Sequence, residues 1–236
     1  MTTKGMPEAT PPTHEGRVLL MDKPIGWTSF DVVAVVRKIL RERKVGHAGT
    51  LDPRATGLLI VCTGRMTRHI EQFMGMEKEY DAVMMLGART ASYDAETPVL
   101  EERSIDAVTP EQVRTVLQGF IGPQVQIPPM HSAVKINGKR LYAYARQGRT
   151  VERRPREVHI RSIDAIVVVP PLVTFTMVCS RGTYVRSVVN DAGTQLGCGA
   201  YLAGLRRTRI GSFSVDDALT VDLLRTRVHE DRVPVV

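Results

Sequence analysis

The sequence predicts an α+β fold with a mixed, mainly antiparallel central sheet flanked by helices. Three observations carry that expectation. Short apolar strands recur along the chain, some separated by turns and others by helical segments, an alternation that suits a mixed sheet better than a doubly wound one. Leu58-Leu59-Ile60-Val61-Cys62 is a continuous apolar run, as in a strand buried on both faces. Thr109-Pro110-Glu111 places an N-cap residue before a proline at the first helical position, a strong helix start. With 236 residues and 43% hydrophobic content there is ample material for a core. Neither an internal repeat nor a dividing linker is visible, so residues 17–236 are expected to form a single domain. Residues 1–16, rich in Thr, Pro, Gly and charge, are expected to be a disordered tail.

In chain order, Arg17 to Asp22 reads as a strand closed by the Lys23-Pro24-Ile25-Gly26 turn. Ser29 to Leu40 reads as a helix, with Thr28 and Asp31 spaced as a capping pair and Val32, Val35, Val36, Ile39 and Leu40 at helical intervals. A glycine-rich loop, residues 46–57, then leads into the 58–62 strand and is expected at a sheet edge. Thr67 to Met74 reads as a short helix, Glu79 to Leu86 as a strand, and the helix from Thr109 ends near Gly122. Residues 124–156 have the character of an insertion: Pro128 and Pro129 interrupt it, Asn137-Gly138 is a hairpin signal, and Lys and Arg interleave with Tyr142 and Tyr144. Strands follow at 158–169 and 174–180, then a helix at 183–196, an extended Arg-rich stretch at 200–213 and a closing helix at 216–225.

Thirty-two Lys and Arg against 25 Asp and Glu leave a net charge of +7, which makes a polyanion, nucleic acid first, the expected partner. The clusters Arg146, Arg149, Arg153, Arg154, Arg156 and Arg206, Arg207, Arg209 favour that reading. Cys62, Cys179 and Cys198 are too few and too dispersed for a disulfide framework or a zinc site. The histidines lack metal-ligand spacing, and neither a phosphate loop nor a dinucleotide fingerprint occurs. No metal or cofactor is therefore expected. With no run of 18 apolar residues, a monomeric cytoplasmic protein that does not engage membranes is expected.

The chemistry points to one loop. Gly46-His47-Ala48-Gly49-Thr50-Leu51-Asp52-Pro53-Arg54-Ala55-Thr56-Gly57 sets a single carboxylate among turn-forming residues, with a titratable ring and a fixed cation close by in sequence. An isolated Asp-Pro is ordinarily just a turn. Here the neighbours suit an anionic substrate, and with no nucleophile-elbow context around Ser132 or Ser187, Asp52 is the candidate nucleophile or base.

That loop resembles the catalytic motif of the TruB family, bacterial enzymes that convert uridine 55 in the T-loop of tRNA to pseudouridine. Leu20-Met21-Asp22-Lys23-Pro24, Lys78-Glu79-Tyr80, Gly182-Thr183-Tyr184-Val185-Arg186, Leu196-Gly197-Cys198-Gly199-Ala200 and Leu205-Arg206-Arg207 are similar to further family motifs, in the family's order, from about residue 17 to 225. Ile127 to Gly148 is similar to the family's tRNA-gripping insertion. The resemblance implies a pseudouridine-synthase fold and no cofactor, because the product is an isomer of the substrate. It implies that Asp52 acts on the uridine, that Arg186 is its cation, and that Tyr80 stacks on the flipped base and is a candidate general base. By the same resemblance Tyr184 and Leu205 line the pocket, His47 fills space among flipped nucleotides, and Asp94 pairs with the arginine before substrate arrives. Lys135, Lys139, Arg140, Tyr142, Arg146 and Arg149 are the expected grip on the T-arm. Lys23 is left structural.

Family members commonly continue into a C-terminal RNA-binding domain of the PUA type, which is not expected in this chain. Ala91, His131 and Ala143 depart from the residues usual at those positions, Asp, an aromatic and Glu. Two other readings remain: a tRNA-binding or folding factor with secondary or lost catalysis, and a synthase acting on another RNA.

Overall fold

A computed structural model of the chain describes residues 16–136 and 138–229. The expected tail at 1–16 therefore lies, Gly16 aside, outside the described residues, as does Asn137 of the hairpin signal. The order is β1 (Val18–Lys23), α1 (Ser29–Leu40), β2 (Val45–His47), β3 (Ala55–Thr63), a 3-10 turn (Gly64–His69), α2 (Ile70–Gly75), β4 (Lys78–Leu86), β5 (Ala88–Thr90), β6 (Val99–Glu102) and α3 (Pro110–Gln118). β7 (Gly122–Gln126), β8 (Lys135–Ile136), β9 (Lys139–Arg140), α4 (Leu141–Ala145), β10 (Arg156–Val169), β11 (Leu172–Cys179), α5 (Val185–Gln195), β12 (Ala200–Ile210), β13 (Phe213–Ser214) and α6 (Val221–His229) complete it.

The main sheet runs β1-β3-β12-β4-β11-β10-β7, with β2 on β3 and β13 on β12. Its pairings are antiparallel except β3 with β12. The predicted mixed, mainly antiparallel sheet is therefore the fold, and α1 spans the predicted residues. Thr28 and Asp31 form a reciprocal capping box at its start, as do Thr109 and Gln112 at α3.

Burial on two faces accounts for the unbroken apolar character of β3. Leu59 and Val61 pack with Leu19 and Met21 against α1 and α6, while Leu58, Ile60 and Cys62 face α2 and the β13 region. β4 instead alternates, sending Tyr80, Ala82, Met84 and Leu86 into the larger core with α3 and α5.

Four expectations are corrected. The Asp52 loop is not at a sheet edge, because it feeds β3, which lies between β1 and β12. The insertion does not begin at 124 or end at 156: Arg156 to Ile160 pair with Gln126 to Gly122, so both ends belong to the sheet and only residues 127–155 project. The closing helix starts at Val221, preceded by a 3-10 turn at Val215–Asp217 whose cap is Ser214. Tyr144 does not project; it is buried beneath Arg149, and its hydroxyl donates to the Ile136 carbonyl at 3.4 Å.

Candidate active site

The Asp52 loop is held from several sides by groups distant in sequence. The Leu51 N–H donates to Ser29 Oγ at 2.9 Å, and the Gly26 N–H donates to the Pro53 carbonyl at 2.8 Å. Lys23, fully buried, donates from Nζ to the carbonyls of Trp27 at 2.6 Å, Pro24 at 3.0 Å and Pro53 at 3.4 Å. Lys23 is thus a clamp, and burial first of all brings its pKa down to about 8, against the opposing pull of Asp52. Arg54 donates to the Ala95 carbonyl at 2.9 Å, tying the loop to the 91–97 segment, a framework contact unlike the substrate-facing cation expected of it.

Beneath the loop lies Arg207, 1% exposed. Its Nε donates to the Leu58 carbonyl at 2.7 Å and its Nη2 to the Gly49 carbonyl at 3.1 Å, so one guanidinium ties the chain before Asp52 to the chain after it. In register, Arg207 stands opposite Gly57 on β3 and Tyr80 on β4. Gly57 has φ +100°, and a Cβ there would lie 2.3 Å from the Arg207 carbonyl oxygen, so only glycine lets β12 approach. The family motif Leu-Arg-Arg contains Arg207, but its importance as a clamp is invisible until β12 is placed beside β3.

Arg186 enters from the first turn of α5. Its side chain, 3% exposed, holds Asp52 Oδ2 at 3.2 Å through Nη2 and approaches Asp94 Oδ2 at 3.8 Å through Nη1, which also donates to the Ser92 carbonyl at 3.2 Å. The Asp94 carboxylate is further engaged by Ser92 Oγ at 2.5 Å and the Glu96 N–H at 2.9 Å. The Arg186 guanidinium lies over the Tyr184 ring, 5.5 Å from its centroid. Gln126 orients Tyr184 by accepting from its N–H at 2.9 Å and donating to its carbonyl at 3.3 Å; sequence reasoning offered no signal for that role.

These groups meet in a cleft of about 660 Å³ lined by Asp52, Tyr80, Tyr184, Arg186, Leu205 and Lys135 among others, with Lys78, Arg181 and Arg207 as further cations. Asp52 keeps 39% of its side-chain surface open to the cleft, yet protein surrounds it on the remaining sides. Desolvation therefore raises its pKa above the ordinary carboxylate range; Arg186 opposes the rise and Asp94 adds to it. Burial likewise raises the pKa of the Tyr80 phenol, with Arg207 pulling it back. Lys78 donates to the Met74 and Met76 carbonyls, and burial lowers its pKa to about 8.

His47 lies on β2 and does not line this cleft; burial, then Arg207, depresses its pKa, and its Nδ1 is buried without a partner. Of the expected RNA grip, Lys135, Lys139, Arg140, Arg146 and Arg149 are exposed, and Arg140 and Arg146 flank the Tyr142 ring at 5.9 and 5.4 Å. In the Arg206 cluster Arg207 is buried, whereas Arg206 and Arg209 stay partly exposed and are paired with Asp22 and Glu79, each at 2.8 Å, which offsets their charge locally. Among the described residues no group of three His, Cys, Asp or Glu is placed to hold a metal ion, and no helix is long and apolar enough to cross a membrane.

Two family models match the chain. TruB family pseudouridylate synthase (N terminal domain) covers residues 37–185, and tRNA pseudouridylate synthase B C-terminal domain covers residues 186–232. Proteins named tRNA pseudouridine synthase B match closely. That of Chlorobium luteolum is 49% identical over 96% of this chain and 78% of its own length, and that of Ralstonia nicotianae is 48% identical over 91% and 69%. A solved Cbf5-Nop10-Gar1 complex contains a chain 32% identical, with TM-score 0.70 over 92% of this chain. An H/ACA RNP bound to a substrate RNA containing 2′-deoxyuridine gives 29% and 0.68. This chain spans 57% and 56% of those two solved chains.

Proposed function

Because the chain belongs to the TruB family of pseudouridylate synthases, we propose that it isomerises uridine 55 in the T-loop of tRNA, as a monomer whose nucleophile is Asp52. The observation that carries this reading is the Asp52 carboxylate held 3.2 Å from a buried guanidinium in a cleft lined by two tyrosines. In the reaction the C1′–N1 bond breaks, a C1′–C5 bond forms, C5 loses its proton and N1 gains one. Atoms balance without a co-reactant.

Asp52 is most useful if ionised and held still. Arg186 favours the ionised form, and the clamps from Ser29, Lys23 and Arg207 hold the loop, so little reorganisation is needed when a ribose arrives. Tyr80 and Tyr184 offer aromatic faces to an extruded base, and Leu205 closes the pocket. With its pKa raised by burial, Tyr80 rests as a neutral phenol suited to stacking; as a base it would act only after giving up its own proton.

A stacked uridine must be flipped out, at a cost of roughly a few kcal/mol. The 127–155 arm offsets that cost by gripping T-arm phosphates with Lys135, Lys139, Arg140, Arg146 and Arg149, Tyr142 adding a stacking face. Carbodiimide mapping of tRNA treated with the protein tests the reading. Pseudouridine at position 55, absent with Asp52→Asn, is expected. Binding without any modified uridine would favour the folding-factor reading, and modification of another RNA the third.

A further inference from the structure

A second charged surface lies away from the arm. The loop after α1 carries Arg41, Arg43 and Lys44, and the 3-10 turn carries Arg65 and Arg68, all exposed, with exposed Lys38 beside them on α1. The Gly64 N–H donates to the Lys44 carbonyl at 2.8 Å, which joins the two segments into one ridge. Gly64 itself, at φ +51°, leaves no room for a side chain, since a Cβ would come within 2.9 Å of the Gly16 backbone. Arg41 occupies the left-handed C-cap of α1 (φ 51°), a position that ordinarily selects glycine or asparagine.

The ridge is strongly unbalanced in charge. Among the described residues none of these six cations forms an ion pair. The nearby carboxylates are Glu42, which accepts from the Lys44 N–H at 3.2 Å, and exposed Glu71. A helix C-terminus attracts cations, but Arg37 and Lys38 in the last turn of α1 already meet that demand. Arg43, Lys44, Arg65 and Arg68 lie outside it.

One helical run leads from the cleft to the ridge. Met74 lines the cleft, and α2 with the 3-10 turn leads back from it to Arg65 over roughly 16 Å of helical rise. The arm, by contrast, rises from the β7–β10 edge, four to five strand spacings from β3, or roughly 20–25 Å across the sheet. RNA gripped by the arm and presenting a base to the cleft would have to extend past the α2 wall to reach the ridge.

We propose that the Arg41–Lys44 and Arg65–Arg68 ridge is a second RNA-backbone track, engaging phosphates of a tRNA that lie outside the T-arm hairpin. The proposal rests on the tRNA reading above. Its test is a quadruple variant, Arg43→Gln, Lys44→Gln, Arg65→Gln and Arg68→Gln, bound to a full-length tRNA transcript and to an isolated T-arm hairpin across a KCl series. For the full tRNA, the slope of log K against log salt should become shallower by about 3, at roughly 0.7–0.9 per lost phosphate contact. Affinity near physiological salt should fall tenfold or more, and a variant carrying lysine at all four positions should recover both. Hairpin binding and hairpin turnover should not change. An unchanged slope for full tRNA overturns the proposal. Equal weakening for both RNAs also overturns it, because the ridge would then belong to the T-arm site. Failure of the uridine 55 reading would appear separately, as wild-type protein that leaves both RNAs unmodified while the salt slopes remain measurable.

Discussion

Arg186 stands between two carboxylates and treats them unequally: Nη2 is 3.2 Å from Asp52 in the open cleft, and Nη1 is 3.8 Å from the buried Asp94. Asp94 has other donors, Ser92 Oγ and the Glu96 N–H, so it does not depend on the arginine alone. One cation thus serves two anions; desolvation is what chiefly raises the proton affinity of Asp52, Arg186 opposing the rise and Asp94 adding to it.

Asp52→Asn should abolish pseudouridine formation while tRNA affinity stays within about threefold, because the carboxylate contributes chemistry and the arm contributes binding. The folded-state pKa of Asp52 is raised, so its ionised form costs stability above that pKa. The variant should therefore melt at the same temperature as the parent or higher at pH 7.5. Single-turnover assays, equilibrium binding and calorimetry check the three statements.

The pH dependence of single-turnover rate should show an acid limb. The proposed role of Asp52 needs its ionised form, so activity should fall as pH drops through a pKa lying above the ordinary carboxylate value. Asp94→Asn removes the like charge and should move that midpoint to lower pH. A midpoint that stays or rises would remove Asp94 from the electrostatics of Asp52.

Arg207→Lys keeps the charge but cannot reach both the Leu58 and Gly49 carbonyls. Loss of one charge-assisted hydrogen bond should cost about 1.5–3 kcal/mol of stability. The turnover rate should fall at least about tenfold, with KM changed less than about threefold, as expected when positioning rather than binding is damaged. Chemical denaturation and kinetics below the melting transition separate the two effects.

Gly57→Ala meets both a positive φ and the Arg207 backbone. It should lose at least about 2 kcal/mol and reduce activity together with stability. A variant as stable as the parent would mean that β3 and β12 separate easily.

Lys139→Gln with Arg140→Gln and Arg146→Gln should raise KM and make the salt dependence of hairpin binding shallower by roughly 2–3, leaving the rate at saturation unchanged. Steady-state assays at several ionic strengths read this directly.

Local signals were the legible part of the fold. The Thr28/Asp31 box, the Thr109-Pro110 start, the 58–62 run and the alternation of β4 each encode structure within a few residues, and each forms as expected. Boundaries are not legible where pairing decides them: Gln124 to Gln126 and Arg156 read as insertion because nothing local says that they belong to paired strands. The Arg206, Arg207 and Arg209 cluster was misread for the same reason, since Asp22, Glu79 and the Asp52 loop reach it only after folding.

By itself the sequence determined the class of fold, the family to which the motifs belong, and the single carboxylate on which attention should fall. The resemblance already implied Arg186 as its cation; tertiary structure alone decided how that carboxylate is held and desolvated, with Lys23 and Arg207 sealed under its loop and Gln126 behind Tyr184. The physical reason is that capping and amphipathic burial act over neighbouring residues, whereas desolvation and ion pairing depend on which distant strands close around a group. Asp52 is legible as a residue in the sequence, but its 3.2 Å contact with Arg186 and its desolvation exist only in the folded chain.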